Sequence, residues 1–147
     1  MLDLIIKNGS CYIDNDLKDV DIGIKNGKIV DIGKLEDKAN ELIDATGLTV
    51  LPGCIDTQTH FREPGSTDTE DLNSGSRAAI VGGITSVFEM PNTNPATTNK
   101  AEFNRKIELA NKRMYCNHAF YFGATPDNQS ELADLKDLEG CCGVKLF

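Results

Sequence analysis

Short strands and tight turns are predicted for the first 51 residues. Val20–Lys25 alternates apolar residues with polar residues or glycine, which is the period of a half-buried strand. Asn26-Gly27 separates this run from Lys28–Gly33, and such a pair supplies the positive φ angles of a two-residue type I′ hairpin. Further short strands are predicted at Leu2–Ile6, Glu41–Asp44 and Leu48–Leu51. Residues 1–51 are therefore expected to form a small β unit.

From Pro52 onward the pattern changes to strands that alternate with helices. Strands are predicted at Cys54–His60, Ile84–Met90, Asn117–Gly123 and Cys142–Phe147. Helices are predicted at Asp71–Val81, from an N-cap at Asn99 to about Met114, and at Ser130–Leu138. This order predicts an α/β fold of parallel, right-handed βαβ units. A closed (β/α)8 barrel takes about 250 residues, so residues 52–147 supply either a half-size open domain or the first half of a barrel.

Composition narrows the classes of partner. The 147 residues include 15 Lys and Arg against 23 Asp and Glu, a formal net charge of −8, whereas a nucleic-acid partner would need a basic patch. No apolar run approaches the length of about 18 residues that a membrane span needs. The amino terminus lacks the charged and apolar regions of a secretory signal. Five scattered cysteines describe neither a disulfide framework nor a zinc knuckle. A cytoplasmic protein with a small-molecule substrate is expected, with no nucleic acid and no membrane as partner.

Candidate chemistry lies where the first strand ends, because active sites of parallel α/β folds gather at the carboxyl ends of strands. Asp56, Gln58 and His60 share one face of a regular strand, and an imidazole there can bind zinc. Arg62 follows, and a guanidinium can hold a carboxylate with two parallel hydrogen bonds. Taken alone, this pair is more often a histidine satisfied by the backbone beside a surface arginine.

The second and fourth strands end in an amide and an amine. Asn92 can donate to a ligand oxygen and accept from a ligand N–H, although Pro91–Pro95 is also ordinary turn sequence. Lys145 stands among apolar strand residues, where a cation is disfavoured. A neutral lysine amine can react with carbon dioxide to give a carbamate that bridges two metal ions. The alternative is a lysine whose ammonium group stays in water.

Three segments at these strand ends, Pro52–Gly65, Glu89–Pro95 and Gly143–Phe147, together resemble the dihydroorotase family of the amidohydrolase superfamily. The resemblance extends over all 147 residues, and the pairing of HFREPG with PNT is specific. It implies a β-sandwich segment, residues 1–51, and the first four, incomplete, βα units of a TIM-type barrel, residues 52–147. It also implies the reversible cyclisation of N-carbamoyl-L-aspartate to dihydroorotate in pyrimidine biosynthesis. The chain is then expected to be an amino-terminal fragment.

The resemblance implies a role for each strand-end residue. His60 would be a ligand of one or two zinc ions, Lys145 their carbamylated bridging ligand, and Arg62 and Asn92 the groups that hold the substrate carboxylate. Gln58 stands where the family usually has the first histidine of His-x-His, and a neutral amide is a poorer zinc ligand than imidazole. The aspartate proton shuttle is expected beyond residue 147, so no catalytic residue is assigned and the fragment is expected to be inactive alone.

Two alternatives remain open from the same residues. Gln58 favours a non-catalytic partner of aspartate carbamoyltransferase, because some dihydroorotase-like proteins that lack their metal ligands have that role. The other alternative is a related cyclic amidohydrolase of the allantoinase or dihydropyrimidinase type. Similar allantoinases carry asparagine in place of Arg62, so this second alternative requires the guanidinium to be idle. A homodimer is the other assembly that the resemblance allows.

Overall fold

The computed structural model describes residues 1–36 and 38–147, which form two compact units, Met1–Pro52 and Gly53–Phe147. The described strands of the first unit are β1 (Leu2–Lys7), β2 (Ser10–Ile13), β3 (Asp16–Asp19), β4 (Asp21–Lys25), β5 (Lys28–Gly33), β6 (Ala39–Asp44) and β7 (Thr49–Val50). The described elements of the second unit are β8 (Cys54–Thr59), α1 (Leu72–Val81), β9 (Ile84–Glu89), α2 (Lys100–Ala110), β10 (Asn117–Gly123), a 3₁₀ segment (Gln129–Asp137) and β11 (Cys141–Lys145).

The first unit is a sandwich-like pair of small sheets. One sheet has the order β5-β4-β1-β6, and the other has the order β3-β2-β7. β1 runs antiparallel to β4 and parallel to β6, while β2 runs antiparallel to β3 and parallel to β7. The buried apolar side chains come from both sheets and from the segments that join them: Ile5, Cys11, Ile22, Leu35 and Ala45. Their burial supplies the apolar stabilisation of this unit.

The hairpin predicted at Asn26-Gly27 is confirmed. β4 and β5 pair antiparallel with Lys25 opposite Lys28, and Asn26 and Gly27 have φ angles of 52° and 70°. A second hairpin, β2–β3, was missed, since the sequence of β3 is polar and shows no apolar alternation. Its signal is the turn pair Asp14-Asn15, whose φ angles of 55° and 64° are those that a type I′ turn requires.

The Asp21 carboxylate joins three segments of the first unit. Its two oxygens accept the backbone N–H groups of Leu35 (3.0 Å) and Asn8 (3.1 Å). The side chain is only 4% exposed. The Leu35 N–H is the largest cause that lowers the pKa of this carboxyl, and the Asn8 N–H adds to it against the opposing effect of burial. The charged form therefore stabilises the fold.

The second unit is a parallel four-stranded sheet with the order β11-β10-β9-β8. The alternation of strands and helices expected from the sequence is confirmed, and the described residues form an open half-barrel sheet. One face packs against the helices through Val87, Phe120 and Phe122, which meet Leu72 of α1 and Phe103 of α2. In the described part of the chain, neither α-helix has the length and apolar character that crossing a membrane requires.

Both α-helices begin where the sequence predicts. Asp71 and Ser74 form a reciprocal capping box at the start of α1, and the Asn99 side chain accepts the N–H of Glu102 at the start of α2. α2 ends at Ala110 rather than near Met114, because Asn111 leaves the helical region and Lys112 has a φ of 58°.

The last two elements differ in detail from the prediction. The expected helix at Ser130–Leu138 is a 3₁₀ segment, Gln129–Asp137. The Asn128 side chain does not cap it, because its amide group binds Thr125, Thr98 and Gly123 instead. The last strand is Cys141–Lys145 rather than Cys142–Phe147, and Ala124 N–H donates to its terminal carbonyl at Lys145 (2.8 Å).

Replacing Asp21 with asparagine should destabilise the first unit in a pH-dependent way. The folded-state pKa of Asp21 lies below the unfolded value, so its stabilisation is present near neutral pH and is lost as the pH falls through the lowered pKa. We expect Asp21→Asn to lower the free energy of unfolding by about 1–3 kcal/mol at pH 7 and by less at pH 3. Urea unfolding at both pH values measures this. Asp19→Asn, at an exposed position, is the control, and an equal effect of Asp21→Asn at both pH values would contradict the assignment.

Candidate functional site

The parallel sheet places the carboxyl ends of its strands along one edge. His60 follows β8, Asn92 lies three residues after the end of β9, and Lys145 ends β11. Phe88 and Tyr121 pack edge to face, with their ring centroids 6.3 Å apart, on the sheet face opposite the helices. Lys145 lies two residues beyond Gly143, the partner of Tyr121, and so belongs to this same face.

His60 and Asn92 are in direct contact. The imidazole Nδ1 lies 2.9 Å from the amide Oδ1 of Asn92. An amide oxygen only accepts, so in this arrangement Nδ1 carries the proton and Nε2 keeps its lone pair. Metal-binding histidines commonly have this arrangement, with one nitrogen on the metal and the other donating to an oxygen. The contact gives Asn92 an orienting role toward His60 beside the substrate-binding role predicted for it.

The loops that carry these two residues pack against each other. Asn94 N–H donates to the Pro64 carbonyl at 2.9 Å. Gly65 has a φ of 114°, and a Cβ atom added there would lie 2.6 Å from the Asn94 Cβ and 2.7 Å from its carbonyl oxygen. Only glycine fits both the backbone conformation and the space. The HFREPG and PNT motifs, 32 residues apart from His60 to Asn92, therefore form one structural unit.

A partly buried ion pair holds the first of these loops on the helices. The Glu63 carboxylate accepts two hydrogen bonds from the Arg113 guanidinium, at 2.7 and 3.0 Å. It also accepts the N–H of Leu72, the first residue of α1, at 2.9 Å. The hydrogen bond with Glu63 is the main cause that raises the pKa of Arg113. Three donors on one carboxylate fix the position of the loop relative to both helices.

Arg62 has a strained backbone between two buried neighbours. Its φ of 62° is in the left-handed region, which costs a non-glycine residue about 1–3 kcal/mol. Phe61 and Glu63 are buried on either side, while Arg62 itself is exposed. Their burial holds the strained residue in place. Strain of this kind concentrates at functional sites, and here it sets the backbone direction at the guanidinium.

A second ion pair, which is fully buried, lies behind the site. Glu89, at the end of β9, pairs with Lys106 of α2, and their side chains are 1% and 0% exposed. Burial raises the pKa of Glu89 to about 7, against the opposing effects of Lys106, the Phe61 N–H and Arg62. Burial also lowers the pKa of Lys106. Sequence reasoning missed this pair, although Lys106 shares the buried stripe of α2 with Phe103 and Ala110, where a lysine needs a partner.

Asp56 does not share a face with His60, contrary to the regular alternation expected for β8. Asp56 is in register with Val87 and Thr59 with Glu89, so β8 contains one extra residue between them. Val87 and Glu89 lie on the same face of β9, which places Asp56 with Thr59 rather than with His60. The Asp56 carboxylate accepts the backbone N–H of Gln58 at 2.9 Å within this bulge, and the Gln58 side chain is exposed.

Lys145 lies at the far side of the edge. β8 and β11 are separated by three strand spacings, which is about 14 Å in a flat sheet. The Lys145 ammonium lies 5.5 Å from the centre of the Phe147 ring. The structure thus brings His60 and Asn92 together, with Arg62 beside them in the same loop, and places Lys145 on the same edge without bringing it to the pair.

A cavity of about 300 Å³ opens beside Asn92, at the ends of β9, β10 and β11. Its wall includes Pro91, Asn92, Gly123, Thr125 and Phe147. The buried Asn128 side chain supports this wall, because it accepts the N–H of Thr125 and donates to the carbonyl of Gly123. A mainly apolar space whose lining includes one side-chain amide, that of Asn92, suits a small ring compound.

The donors at this edge fit part of a metal site. Within residues 1–36 and 38–147 no group of three His, Cys, Asp or Glu side chains is placed to hold an ion. The Nδ1 of His60 is bound to Asn92, and its Nε2 keeps the lone pair that a metal ligand needs. Lys145 and Gln58 are the other predicted ligands, and neither contacts His60 among the hydrogen bonds of the described residues.

The chain is similar to known proteins in both sequence and fold. The model of the amidohydrolase family matches residues 49–140. The allantoinase of Escherichia coli strain K12 is 41% identical over 146 residues, which is 99% of this chain and 32% of the relative. The L-hydantoinase (dihydropyrimidinase) of Arthrobacter aurescens superposes with a TM-score of 0.88 at 32% identity, over 98% of this chain and 32% of that one. A D-hydantoinase gives a TM-score of 0.82 at 34% identity with the same coverage. The chain spans about a third of the length of these relatives.

Removing the Asn92 amide should free the His60 ring. Without its acceptor, Nδ1 no longer holds the proton preferentially, and the two neutral tautomers should both be populated. We expect Asn92→Ala to move the Nδ1 and Nε2 shifts of His60 toward each other in ¹⁵N NMR spectra at a pH where the ring is neutral. Asn104→Ala, on the exposed side of α2, should leave them unchanged. Unaltered shifts in Asn92→Ala would show that the contact does not determine the tautomer.

Proposed function

Because the chain belongs to the amidohydrolase family, we propose that it forms the first part of the active site of a cyclic-amide hydrolase of the allantoinase and hydantoinase type. The observation that carries this proposal is the 41% identity to an allantoinase along 99% of the chain. The two hydantoinases that match over 98% of the chain support the same type. Family membership as expected from the sequence is confirmed, while the narrower assignment to dihydroorotase stays a prediction.

The local geometry supports hydrolysis of a ring amide. Asn92 accepts from Nδ1 of His60, which fixes the ring orientation and leaves the Nε2 lone pair available to a ligand. His60 would be one ligand of a divalent ion. The other donors predicted for this edge are a carbamate formed at Lys145 and, more weakly, the Gln58 amide. Such an ion, when bound, polarises the carbonyl of the scissile amide and lowers the pKa of a bound water. The cavity beside Asn92 would receive the ring of the substrate.

Arg62 is the residue that favours a second candidate, dihydroorotase. Its guanidinium is exposed in the same loop as His60, two residues further along the chain. Dihydroorotate carries a carboxylate that a guanidinium can bind through two hydrogen bonds. Allantoin and hydantoin are rings without a carboxylate, so Arg62 would contribute little to their binding. The same residue therefore separates the two candidates.

A substrate panel with an Arg62 variant tests the proposal. We expect the full-length protein, supplied with Zn²⁺, to hydrolyse allantoin or hydantoin faster than dihydroorotate. The Arg62→Asn variant should change the rates for the two neutral rings by less than about threefold, because these rings carry no carboxylate for the guanidinium to bind. Arg77→Asn, at an exposed position of α1, removes the same charge elsewhere and is the control.

Other outcomes of this panel would overturn the proposal. Preference for dihydroorotate, lost in Arg62→Asn but not in Arg77→Asn, would assign the protein to dihydroorotase. No hydrolysis of any ring by the folded, metal-supplied full-length protein would remove the enzyme assignment and favour the non-catalytic role that Gln58 suggested.

The metal-ligand role of His60 can be tested without an activity assay. The chain contains two histidines, His60 at the strand end and His118 in β10, where Nδ1 lies 3.2 Å from the Cys116 carbonyl. We expect His60→Ala to weaken Zn²⁺ binding more than the about 10–100-fold loss that removing an outer-shell partner causes. His118→Ala should leave binding unchanged. Titration with a competing chelator measures both, and equal losses in the two variants would show that His60 is not a specific ligand.

A further inference from the structure

Lys106 makes its contacts inside the protein, directly behind the candidate site. Its ammonium donates to the Met90 carbonyl at 2.9 Å and forms the ion pair with Glu89. It also lies 5.3 Å from the centre of the Phe120 ring, which favours a cation on its face. A fully buried lysine is rare unless it is paired, so the groups that Lys106 binds explain its position.

The Met90 peptide connects this lysine to both functional loops. The Met90 N–H donates to the Thr59 carbonyl at 2.9 Å, and Thr59 directly precedes His60. The Met90 carbonyl, which Lys106 holds, lies two residues before Asn92. The Thr59 hydroxyl adds a third bond, to the Phe88 carbonyl at 3.2 Å. The end of β9 is thus fixed to the end of β8 from one side and to α2 from the other.

Glu89 completes the arrangement from the same side. It neutralises the ammonium that holds Met90, and the Phe61 N–H and the Arg62 guanidinium both act favourably on its carboxylate. These two residues follow His60 in the chain. The ion pair therefore acts on the backbone at either end of the His60–Asn92 contact, and among the described residues its hydrogen bonds and ion pairs go to neither of those side chains.

We propose that Lys106 and Glu89 are positioning residues, which hold the ends of β8 and β9 in the register that lets His60 bind Asn92. The function of this arrangement rests on the proposed hydrolase, whereas its structural effect does not. A buried ion pair is weak evidence for stability, because apolar residues of similar volume often replace one at no loss. What apolar residues cannot replace here is the donor to the Met90 carbonyl.

The test compares an apolar pair with a neutral polar pair. Glu89→Met with Lys106→Met fills the space but removes the donor, while Glu89→Gln with Lys106→Gln keeps an amide donor near Met90. In the apolar pair we expect the Met90 amide proton to exchange at least about tenfold faster and the His60 ¹⁵N shifts to move toward those of a ring with mixed tautomers. The polar pair should stay closer to the parent in both measurements.

Val87→Ala is the matched control. Val87 lies on the same strand and the same buried face as Glu89, two residues earlier, so its truncation leaves a cavity in the same layer. We expect it to lower the urea midpoint without changing the His60 shifts. If the ion pair only stabilises the fold, every variant, including Val87→Ala, should change Met90 exchange and the His60 shifts in proportion to the stability it loses. That result would overturn the proposal.

A folded apolar pair with parent-like exchange at Met90 and parent-like His60 shifts would also overturn it. Should the apolar pair not fold, Lys106→Met alone, measured at pH 6 where Glu89 can take up a proton, decides by the same two readouts. In the full-length protein, assayed with a ring that it hydrolyses, Glu89→Met with Lys106→Met should lower kcat by about 10–100-fold, because the site residues are displaced. Absence of any activity would count against the proposed function only, because exchange and shifts still test the positioning role.

Discussion

The candidate site depends on the packing of two loops, one after β8 and one after β9. The Met90 N–H continues the ladder to the Thr59 carbonyl, and the Asn94 N–H binds the Pro64 carbonyl beyond it. Between these two bonds His60 meets Asn92. Gly65 is required at the second bond, because any Cβ atom there would overlap Asn94. Neither loop could hold its functional side chain in this position without the other.

Buried charge on the helix side of the sheet reinforces this packing. Glu63 with Arg113 fastens the loop after β8 to both helices, and Glu89 with Lys106 fastens the end of β9 to α2. Each carboxylate or ammonium also satisfies a backbone group, the Leu72 N–H in one case and the Met90 carbonyl in the other. Ion pairs that satisfy backbone groups in this way determine loop geometry even where their net contribution to stability is small.

This arrangement also bears on which substrate the site accepts. In the proposed hydrolase, the His60–Asn92 contact would serve any ring amide, so it would not discriminate between substrates. Arg62 would, because its guanidinium favours a carboxylate. The identity to an allantoinase and the likeness to hydantoinases favour a neutral ring, while the arginine favours an acidic one. The backbone strain at Arg62 shows that the fold holds this residue in a specific conformation.

Local patterns determined the elements of this protein. The hairpin at Asn26-Gly27, the caps at Asp71 and Asn99 and the order of strands and helices all follow from the conformational preferences of neighbouring residues. The parallel order also predicts that His60 and Asn92 approach the same edge of the sheet, since parallel strands end together.

Only the tertiary structure decided how these parts meet. The extra residue in β8 moves Asp56 to the face away from His60, because a single insertion reverses the alternation of every side chain before it. Lys106 finds Glu89, and Arg113 finds Glu63, across separations that no local pattern describes. The sequence by itself therefore determined the elements and the residues at their ends, whereas long-range burial of charge and close packing of two loops decided which of those residues touch.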